Sequence, residues 1–483
     1  MQWYRPRTSI EKCSFYQEKW GLLVPLFFIK LIEGFMSKLS KKYDIMVPRY
    51  TSYPTAPHFK NSVKSDLYRQ WLEALDPTTP LSLYFHIPFC DEMCSFCGCY
   101  TKVVKRYDPV AEYLEVLLSE IDLIAEALPS RFKASNLHWG GGSPTMLRGS
   151  DWKRIIERLH KRFNITGNAT IAVELDPRTA TTEYVRALHD AGVNRASIGV
   201  QSFDANIQKA INRIQPYEMT AEVIGWLRDN GINQINMDLM YGLPNQTTQM
   251  AKKEAELAIG LQPSRVALFG YAHVPWMKPH QKLIDENALP NAEERWQQFE
   301  AFSTKFIEAG YNPIGLDHFS LPDDDMCEAL NEGTLHRNFQ GYTADNSPAM
   351  IGFGASAIGQ LHQGYIQNVS PLKQYRERIT AGDFATERGI ELNKDDRLRG
   401  YVIERIMCDL SVDLNSVCNK FNVPNKIFST EIEKLNPLFE DGIVDLFNNI
   451  ISVTETGRPF VRLVAAAFDA YLDSGKGRHS RAV

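Results

Sequence analysis

The sequence lacks several features that would assign it to a common class of protein. It has no basic excess, because 53 Lys and Arg against 58 Asp and Glu give a formal net charge of −5. Non-specific nucleic-acid binding needs a basic face, so no nucleic-acid partner is expected. The chain also has no internal repeat beyond strand–helix units and no low-complexity tract. A hydrophobic content of 44% is ample for a large packed core.

The chain also lacks a hydrophobic run long enough to cross a bilayer. The best candidate, residues 20–29, is interrupted by Pro25 and covers about ten residues, half of what a bilayer needs. Acidic residues, Glu11 and Glu18, precede this run and no small-residue cleavage site follows it, which does not fit a secretory signal. We therefore expect no membrane partner, and we expect residues 1–35 to be a non-native or loosely ordered extension.

Cysteine is scarce outside one stretch. Four of the eight cysteines, Cys90, Cys94, Cys97 and Cys99, are spaced Cys-x3-Cys-x2-Cys-x-Cys directly after an apolar, strand-like segment. Crowded thiols at the end of a strand suit an iron–sulfur or other soft-metal site. Three of them can wrap one cubane cluster from a single loop and leave one iron open for another ligand. Such thiols imply a reducing compartment, hence the cytoplasm.

Two other interpretations of these cysteines stay open at this point. A structural zinc site normally pairs two distant Cys-x2-Cys motifs, and the sequence has no second one. Inert buried cysteines can cluster by chance, although the remaining four are scattered along the chain.

Strand-like and helix-like patterns alternate between residues 81 and 271. The predicted strands are Leu81–Ile87, Ser135–Trp139, Ala169–Glu174, Arg195–Val200, Gln234–Met240 and Arg265–Tyr271. This alternation is typical of βαβ units and a parallel sheet, either a closed barrel or an open part-barrel. Polar or glycine-rich residues follow most of these strands, at the edge where parallel α/β folds place their sites.

These motifs resemble the radical S-adenosylmethionine (SAM) superfamily, in which Tyr-x-His-Ile-Pro-Phe precedes the three-cysteine motif. The fourth cysteine, Cys99, and the run Pro-Arg-Tyr-Thr-Ser-Tyr-Pro-Thr at residues 48–55 are similar to the oxygen-independent coproporphyrinogen III oxidases. The resemblance implies an α/β fold, a partial (β/α)6 barrel. We expect an N-terminal strap at 36–80, a catalytic domain at 81–375, a mainly helical domain at 376–472 and a disordered tail at 473–483.

The resemblance also implies the cofactors and their residues. Cys90, Cys94 and Cys97 would hold a [4Fe–4S] cluster, and two SAM molecules would bind beside it. The first SAM would contact Tyr84, Glu174, Ala272 and Ile358. The second would contact Phe96, Gly141, Gly142, Ser143, Gln201, Arg213 and Asp238. The family usually has threonine where Ser143 stands, and the hydroxyl is kept.

The implied reaction is oxidative decarboxylation of two propionates of coproporphyrinogen III to vinyl groups, giving protoporphyrinogen IX. Cys99 would act near the substrate without binding the cluster. The tetrapyrrole anion needs cations, for which Arg49, His336 and Arg337 are the candidates. An electron donor for the cluster and a monomeric enzyme are also expected. A haem-binding chaperone is the alternative, although that related group usually has an aromatic residue at the position of Cys99.

Overall fold

The computed structural model describes residues 38–472. The predicted extension at 1–35 and the predicted tail at 473–483 lie outside these residues.

The centre of the structure is an open sheet of twelve strands in the order β16-β15-β14-β13-β1-β4-β5-β6-β7-β8-β10-β9. The strands, numbered along the chain, are β1 Leu81–Ile87, β2 Phe89–Cys90, β3 Lys102–Val103, β4 Lys133–Gly141, β5 Asn164–Leu175, β6 Arg195–Gln201, β7 Gln234–Tyr241, β8 Arg265–Gly270, β9 Asn312–Ile314, β10 His318–Ser320, β11 His336–Asn338, β12 Gly341–Thr343, β13 Ala349–Phe353, β14 Ile358–Leu361, β15 Gly364–Asn368, β16 Thr386–Glu391, β17 Ser411–Asp413, β18 Val444–Phe447 and β19 Ile450–Val453.

The middle of this sheet is parallel, and its two ends are antiparallel. Neighbouring strands from β13 through β1 and β4 to β8 all pair in parallel. The pairs β8–β10, β10–β9, β13–β14, β14–β15 and β15–β16 are antiparallel. Within residues 38–472 the edge strands β16 and β9 do not pair with each other, so the barrel is partial, as predicted.

Helices follow the parallel strands and cover the outer face of the sheet, while those after residue 393 pack around a second core. They are α1 Ser65–Glu73, α2 Asp108–Ala127, α3 Gly149–Arg162, α4 Thr182–Asp190, α5 Ala205–Ala210, α6 Tyr217–Asp229, α7 Thr248–Gly260, α8 Ala292–Glu308, α9 Asp325–Glu332, α10 Leu372–Thr380, α11 Lys394–Asp409, α12 Leu414–Phe421, α13 Ser429–Lys434, α14 Asn436–Glu440 and α15 Val461–Ala466. None of the described helices is long and apolar enough to cross a membrane.

The two faces of the parallel strands differ because successive side chains point in opposite directions. Phe85 of β1 stacks on Trp139 of β4 with ring centroids 4.6 Å apart, and both are fully buried in the main core. The alternate residues Tyr84 and His138 are register partners on the other face. The core therefore lies under the helices, and the opposite face carries polar side chains.

Residues near the two ends of the described chain share a second core. Val47, Tyr50 and Tyr53 pack with residues of α11 and α15. The Arg462 guanidinium donates a 2.9 Å hydrogen bond from Nε to the Pro48 carbonyl. The N-terminal strap is thereby fixed to the C-terminal region.

The region after residue 376 is mainly helical, as predicted, and it also contains short strands. Strand β16 extends the main sheet past this residue, and β17, β19 and β18 form a small sheet of their own. These strands have only three to six residues, too few for alternation to stand out in the sequence.

Candidate active site

The cysteine loop runs from Cys90, at the end of β2, to Cys99. Two other segments hold its backbone. The Asn212 side chain donates to the Met93 carbonyl at 2.8 Å. The His280 Nε2 donates to the Cys97 carbonyl at 2.7 Å. The loop is therefore shaped by the segments that follow β6 and β8, at the carboxyl end of the parallel strands.

Each of the three predicted cluster sulfurs has a hydrogen-bond donor. The Thr101 hydroxyl lies 3.2 Å from Cys90 Sγ, and Arg178 Nη2 lies 3.5 Å from Cys94 Sγ. The Cys99 amide donates to Cys97 Sγ at 3.4 Å. Such bonds to cluster sulfurs tune the reduction potential. Arg178 is absent from the sequence prediction, although the run Asp176-Pro177-Arg178 directly after β5 is a usable signal.

The pKa values of the thiols in the loop are shifted in different directions. Hydrogen bonding from the Cys99 side chain and backbone outweighs burial and lowers the pKa of Cys97 to about 6. The pKa of Cys99 is raised, first by its hydrogen bond to Cys97 and then by the charge on that sulfur. Burial raises the pKa of Cys90 to about 11. Within the pair of Cys97 and Cys99, Cys97 is the thiol that loses its proton first. The assignment of Cys90, Cys94 and Cys97 as ligands and of Cys99 as a non-ligand stays a prediction.

Within residues 38–472, no three His, Cys, Asp or Glu side chains converge on one ion position. A structural zinc ion needs four such ligands around one point. A cubane spreads its ligands over separate irons, so three thiols at loop spacing, each with its own donor, fit a cluster.

Side chains of this chain occupy the space beside the three glycines at the end of β4, Gly140 to Gly142. A Cβ on Gly140 would lie 2.4 Å from Glu174 Oε1, and a Cβ on Gly142 would lie 2.5 Å from Thr101 Oγ1. Gly141 has a φ of +114°, and its Cβ would lie 2.6 Å from the His86 ring. From the sequence we expect these glycines to let backbone approach a ligand. The structure shows that they also let Glu174, His86 and Thr101 approach the backbone, and their contact with SAM stays a prediction.

A row of polar side chains lines the inner face of β1, β4 and β5. Tyr84 and His138 stack with ring centroids 5.9 Å apart. His138 Nε2 donates to Glu174 Oε1 at 3.2 Å, and the Gly141 amide donates to Glu174 Oε2 at 3.2 Å. Burial acts to raise the pKa of Glu174, but these two donors outweigh it and the pKa is lowered. Glu174 is therefore held as a carboxylate.

The tautomer of His86 follows from its partners. Its Nε2 lies 3.0 Å from the Tyr100 carbonyl, which can only accept, so Nε2 carries the proton. Burial lowers the pKa of His86, so the ring is neutral and Nδ1 accepts from the Tyr84 hydroxyl at 3.0 Å. His86 thus fixes the Tyr84 hydroxyl.

Arg213 lies in the site with its carboxylate partner supplied by the protein. Its Nη2 is 3.4 Å from Asp176 Oδ1 and donates to the Gly199 carbonyl at 2.6 Å, while Nη1 lies 3.6 Å from Cys94 Sγ. Asp176 also pairs with Arg178 at 2.7 Å. Two guanidinium groups, those of Arg178 and Arg213, therefore flank Cys94, and the Asp176 carboxylate contacts both of them.

Asp238 lies two strands from Glu174 on the same inner face. The Asn236 side chain donates to its Oδ1 at 2.8 Å, and the Ser197 hydroxyl lies 3.2 Å from Oδ2. Burial, followed by the negative charge of Glu174, raises the pKa of Asp238 to about 7. The two carboxyl groups thus differ in charge state at neutral pH.

The other predicted SAM contacts lie at ends of strands or in loops beside these groups. Gln201 ends β6 with a φ of +71°, and Ser143 is buried with its hydroxyl bonded to Thr145. Phe96 packs against the small cluster that contains Tyr271. The Ala272 carbonyl accepts from Gln281 at 3.3 Å, and Ile358 begins β14. Their contact with SAM stays a prediction.

A cavity of about 690 Å³ opens beside the ends of β7 and β8. Ala272 lies in its wall, so it adjoins the predicted first SAM site. Its lining includes four guanidinium groups, those of Arg49, Arg295, Arg337 and Arg462. The sequence prediction contains Arg49 and Arg337 but misses the other two, because a helix arginine and a C-terminal arginine carry no local signal.

Arg337 is a deeply buried member of this set, with its side chain 4% exposed. It lies over the Tyr342 ring at 4.3 Å, and its Nε donates to the Arg49 carbonyl at 3.4 Å. Within residues 38–472, its buried Nη1 has no hydrogen-bond partner. Asp317 Oδ1 is the neighbouring carboxylate, 3.9 Å from Nη1 and beyond hydrogen-bond distance.

His336 does not line this cavity with its sequence neighbour. It lines a second cavity of about 500 Å³, where Nδ1 lies 2.9 Å from Glu404 Oε1. The hydrogen bond to Glu404 is the main reason that the pKa of His336 is raised. Arg337 lines this second cavity as well, so it lies between the two cavities, whereas His336 lines only the second.

Comparison with known proteins agrees with this architecture. The Radical SAM superfamily profile matches residues 84–258. Oxygen-independent coproporphyrinogen III oxidase from Bradyrhizobium diazoefficiens is 48% identical over 437 residues, which cover 90% of this chain and 97% of the relative. The protein of the same name from Synechocystis is 36% identical and covers 91% of this chain and 96% of the relative.

A solved structure is similar along almost its whole length. Coproporphyrinogen III oxidase from Escherichia coli, described as a radical SAM enzyme, has a TM-score of 0.84 and 36% identity, covering 88% of this chain and 98% of that one. The polar side chains on the inner face of the sheet and the cysteine loop are consistent with the family of these relatives. The chain belongs to the oxygen-independent coproporphyrinogen III oxidase family of the radical SAM superfamily.

Proposed function

We propose that this protein converts coproporphyrinogen III to protoporphyrinogen IX without oxygen, by oxidative decarboxylation of two propionates to vinyl groups. One observation carries the assignment: a buried guanidinium, Arg337, has an Nη1 without a partner among the described residues, in a cavity that adjoins the SAM-site residue Ala272. An unsatisfied buried donor on a charged group is costly, so a ligand acceptor is the expected partner. The names of the relatives favour this reaction over haem binding alone.

The cavity matches the charge of the substrate. Coproporphyrinogen III carries four propionates, and four guanidinium groups line the cavity. Guanidinium binds carboxylates bidentately and stays charged, which suits an anion that must be held in register while two of its side chains react in turn. Arg49 and Arg337 are retained as substrate contacts, Arg295 and Arg462 are added, and His336 is assigned to the wall of the second cavity.

The cofactors fit the residues at the carboxyl edge of the parallel strands. Cys90, Cys94 and Cys97 hold the [4Fe–4S] cluster, with Thr101, Arg178 and Cys99 donating to their sulfurs. Tyr84, Glu174, Ala272 and Ile358 line the first of two SAM molecules. Phe96, Gly141, Gly142, Ser143, Gln201, Arg213 and Asp238 line the second. When bound, the cluster and SAM supply a 5′-deoxyadenosyl radical able to abstract hydrogen from a propionate β-carbon.

The residues of the chain orient these groups. Glu174, held as a carboxylate by His138 and the Gly141 amide, is suited to accept hydrogen bonds from ribose hydroxyls. His86 fixes the Tyr84 hydroxyl. Arg213 is already paired with Asp176, so its role is to hold the Cys94 side of the loop. Each propionate loses one β-hydrogen atom, CO2 and one further electron, and the substrate site must exclude water while it does so.

Cys99 lies at the edge of the cluster loop rather than among its ligands. Lys278 Nζ donates to the Cys99 carbonyl at 3.1 Å, and the side chain is exposed. A thiol beside the cluster loop but outside its ligand set is suited to donate a proton or a hydrogen atom toward the substrate. We assign Cys99 a catalytic role without cluster ligation.

The proposal includes the setting of the enzyme. The substrate is a free tetrapyrrole, and the cluster takes electrons from an external donor. A reducing, cytoplasmic location and a monomeric state agree with the exposed Cys99 thiol and with a strap that closes the cavity within one chain. The strap, barrel and C-terminal regions are proposed as the functional domains, with bounds at 36–80, 81–375 and 376–472.

The decisive experiment is an anaerobic assay of the reconstituted protein with coproporphyrinogen III, SAM and a reductant. Protoporphyrinogen, read as fluorescent protoporphyrin after air oxidation, is the expected product. Omission of either SAM or reductant should abolish it. Binding of haem with no conversion of coproporphyrinogen III would refute the proposal and support the chaperone alternative.

A further inference from the structure

The cavity lined by arginines also contains a partly buried carboxylate, that of Asp317. Asp317 lies in the turn between β9 and β10, and its side chain is 16% exposed. A carboxylate is out of place in a site for a tetra-anion, because it repels the propionates that the guanidinium groups attract. A carboxylate in this position needs a hydrogen-bond donor on the ligand, and the propionates cannot provide one.

The surroundings of Asp317 keep it ionised. His318 Nδ1 donates to Oδ1 at 2.8 Å, and Arg337 Nη1 is 3.9 Å from the same oxygen. Burial acts to raise the pKa of Asp317, but Arg337, His318 and Arg49 outweigh it and lower the pKa to about 2. Both close contacts fall on Oδ1. Among the described residues, none donates a hydrogen bond to Oδ2.

The backbone of Asp317 is fixed as well. Its carbonyl accepts from the Leu268 amide at 2.7 Å, which ties the turn to the centre of β8. The carboxylate is therefore a rigid acceptor in the cavity wall. The other carboxylate of the lining, Glu286, differs in both respects, because its side chain is 69% exposed and already bonded to His273 at 3.0 Å.

A porphyrinogen has the donors that this acceptor requires. Its macrocycle carries four pyrrole N–H groups at the centre and its carboxylates on the periphery. We propose that Asp317 accepts hydrogen bonds from the pyrrole N–H groups of the substrate, while the arginines bind the propionates. Asp317 is then a specificity-determining residue that selects the reduced tetrapyrrole. This inference rests on the proposed function, since it assumes that the tetrapyrrole occupies this cavity.

The selectivity follows from donor counts. Coproporphyrin III, the oxidised form, keeps the four propionates but has only two central N–H groups and two unprotonated nitrogens. Those nitrogens repel a carboxylate. The arginines cannot distinguish the two forms, because both present the same carboxylates. A group that does distinguish them must contact the nitrogens at the centre of the macrocycle.

The test is a binding comparison on anaerobic holoenzyme without reductant, so that no turnover occurs. Protein is mixed with coproporphyrinogen III or with coproporphyrin III and separated by ultrafiltration, and the free ligand is read by fluorescence, after air oxidation for the reduced form. Wild type should prefer coproporphyrinogen III. Asp317→Asn, which can still accept from His318, should weaken that ligand about 10- to 100-fold, the loss of a charged hydrogen bond.

Asp317→Asn should leave coproporphyrin III binding unchanged or tighten it, because the substitution removes the charge that repels the propionates and the unprotonated nitrogens. The matched control is Asp323→Asn, an exposed carboxylate just beyond β10 that does not line the cavity, and it should change neither ligand. Arg337→Ala should weaken both ligands alike. Should Asp317→Asn fail to fold by circular dichroism, Asp317→Ala is judged by the same comparison.

Each result decides between the two assignments. Equal weakening of both ligands by Asp317→Asn would mean that Asp317 acts only by placing Arg337, and the inference would be overturned while the cavity assignment stood. An unchanged affinity for coproporphyrinogen III would overturn it as well. Arg337→Ala without effect on either ligand would remove the tetrapyrrole from this cavity and overturn the proposed substrate site itself.

Discussion

Substitution of Gly141 by alanine should disrupt the active site by displacing the His86 ring. The residue has a φ of +114°, where any side chain is strained by about 1–3 kcal/mol. The new Cβ would lie 2.6 Å from the His86 ring, a separation that forces the ring to move. Movement would break the two hydrogen bonds of His86, to Tyr84 and Tyr100, each worth about 1 kcal/mol. The sum is roughly 3–5 kcal/mol, a large fraction of a typical domain's stability.

The assay compares Gly141→Ala with Gly98→Ala, a glycine inside the cysteine loop that has no positive φ and has open space within 4 Å of the point where a Cβ would stand. Both proteins are reconstituted anaerobically, and iron content, SAM binding and thermal unfolding at one scan rate are measured. We expect Gly98→Ala to behave as wild type and Gly141→Ala to unfold several degrees lower with weakened SAM binding. Equal unfolding temperatures and SAM affinities for the two variants would refute the claim that position 141 must be glycine to leave room for the His86 ring.

Three further predictions concern the thiols, the cations and a carboxyl group. Cys99→Ser should retain the brown cluster absorbance and lose turnover, and loss of the cluster would show that Cys99 is a ligand. Arg337→Ala should raise the KM for coproporphyrinogen III by about 10- to 100-fold, with Arg337→Lys intermediate because the charge remains but the fork is lost; an unchanged KM would contradict the assignment. The pKa of Asp238 is raised to about 7, so the folded state keeps a proton that the unfolded chain has lost, and wild-type stability should fall as pH rises from about 4 to 7. Asp238→Asn should abolish that part of the decline in thermal denaturation between pH 5 and 8, and a parallel decline in both proteins would contradict it.

The parallel part of the fold was predictable because its signal is local. Each predicted strand from β1 to β8 lies within two residues of the observed one, except that β5 begins at Asn164, five residues before the predicted Ala169. The missed stretch contains Gly167 and mostly exposed polar residues, which pair in the sheet without an apolar face to reveal them. The cysteine loop was equally visible, because its ligand spacing is encoded within ten residues.

The arginine-lined cavity was only half predictable because it is assembled from distant segments. Arg49, Arg295, Arg337 and Arg462 come from four regions of the chain, and nothing in the local sequence of a helix arginine reports that it meets the others. Asp317 looks like an ordinary turn residue until its neighbours are known. The side-chain direction of His336 depended on the register of a three-residue strand, which periodicity does not determine.

The attachment of the strap to the C-terminal region has a consequence for the order of assembly. Arg462 bonds the Pro48 carbonyl, and the Tyr50 hydroxyl bonds Asp469 at 3.1 Å, across more than 400 residues of chain. A ribosome releases the barrel strands and the cysteine loop well before those last partners, and closing so long a loop is entropically expensive. The chain can therefore complete its cluster loop before Arg49 and Arg462 have come together in the cavity wall. A molecule shortened before residue 462 would keep the cluster loop but lack one of the four guanidinium groups of the cavity.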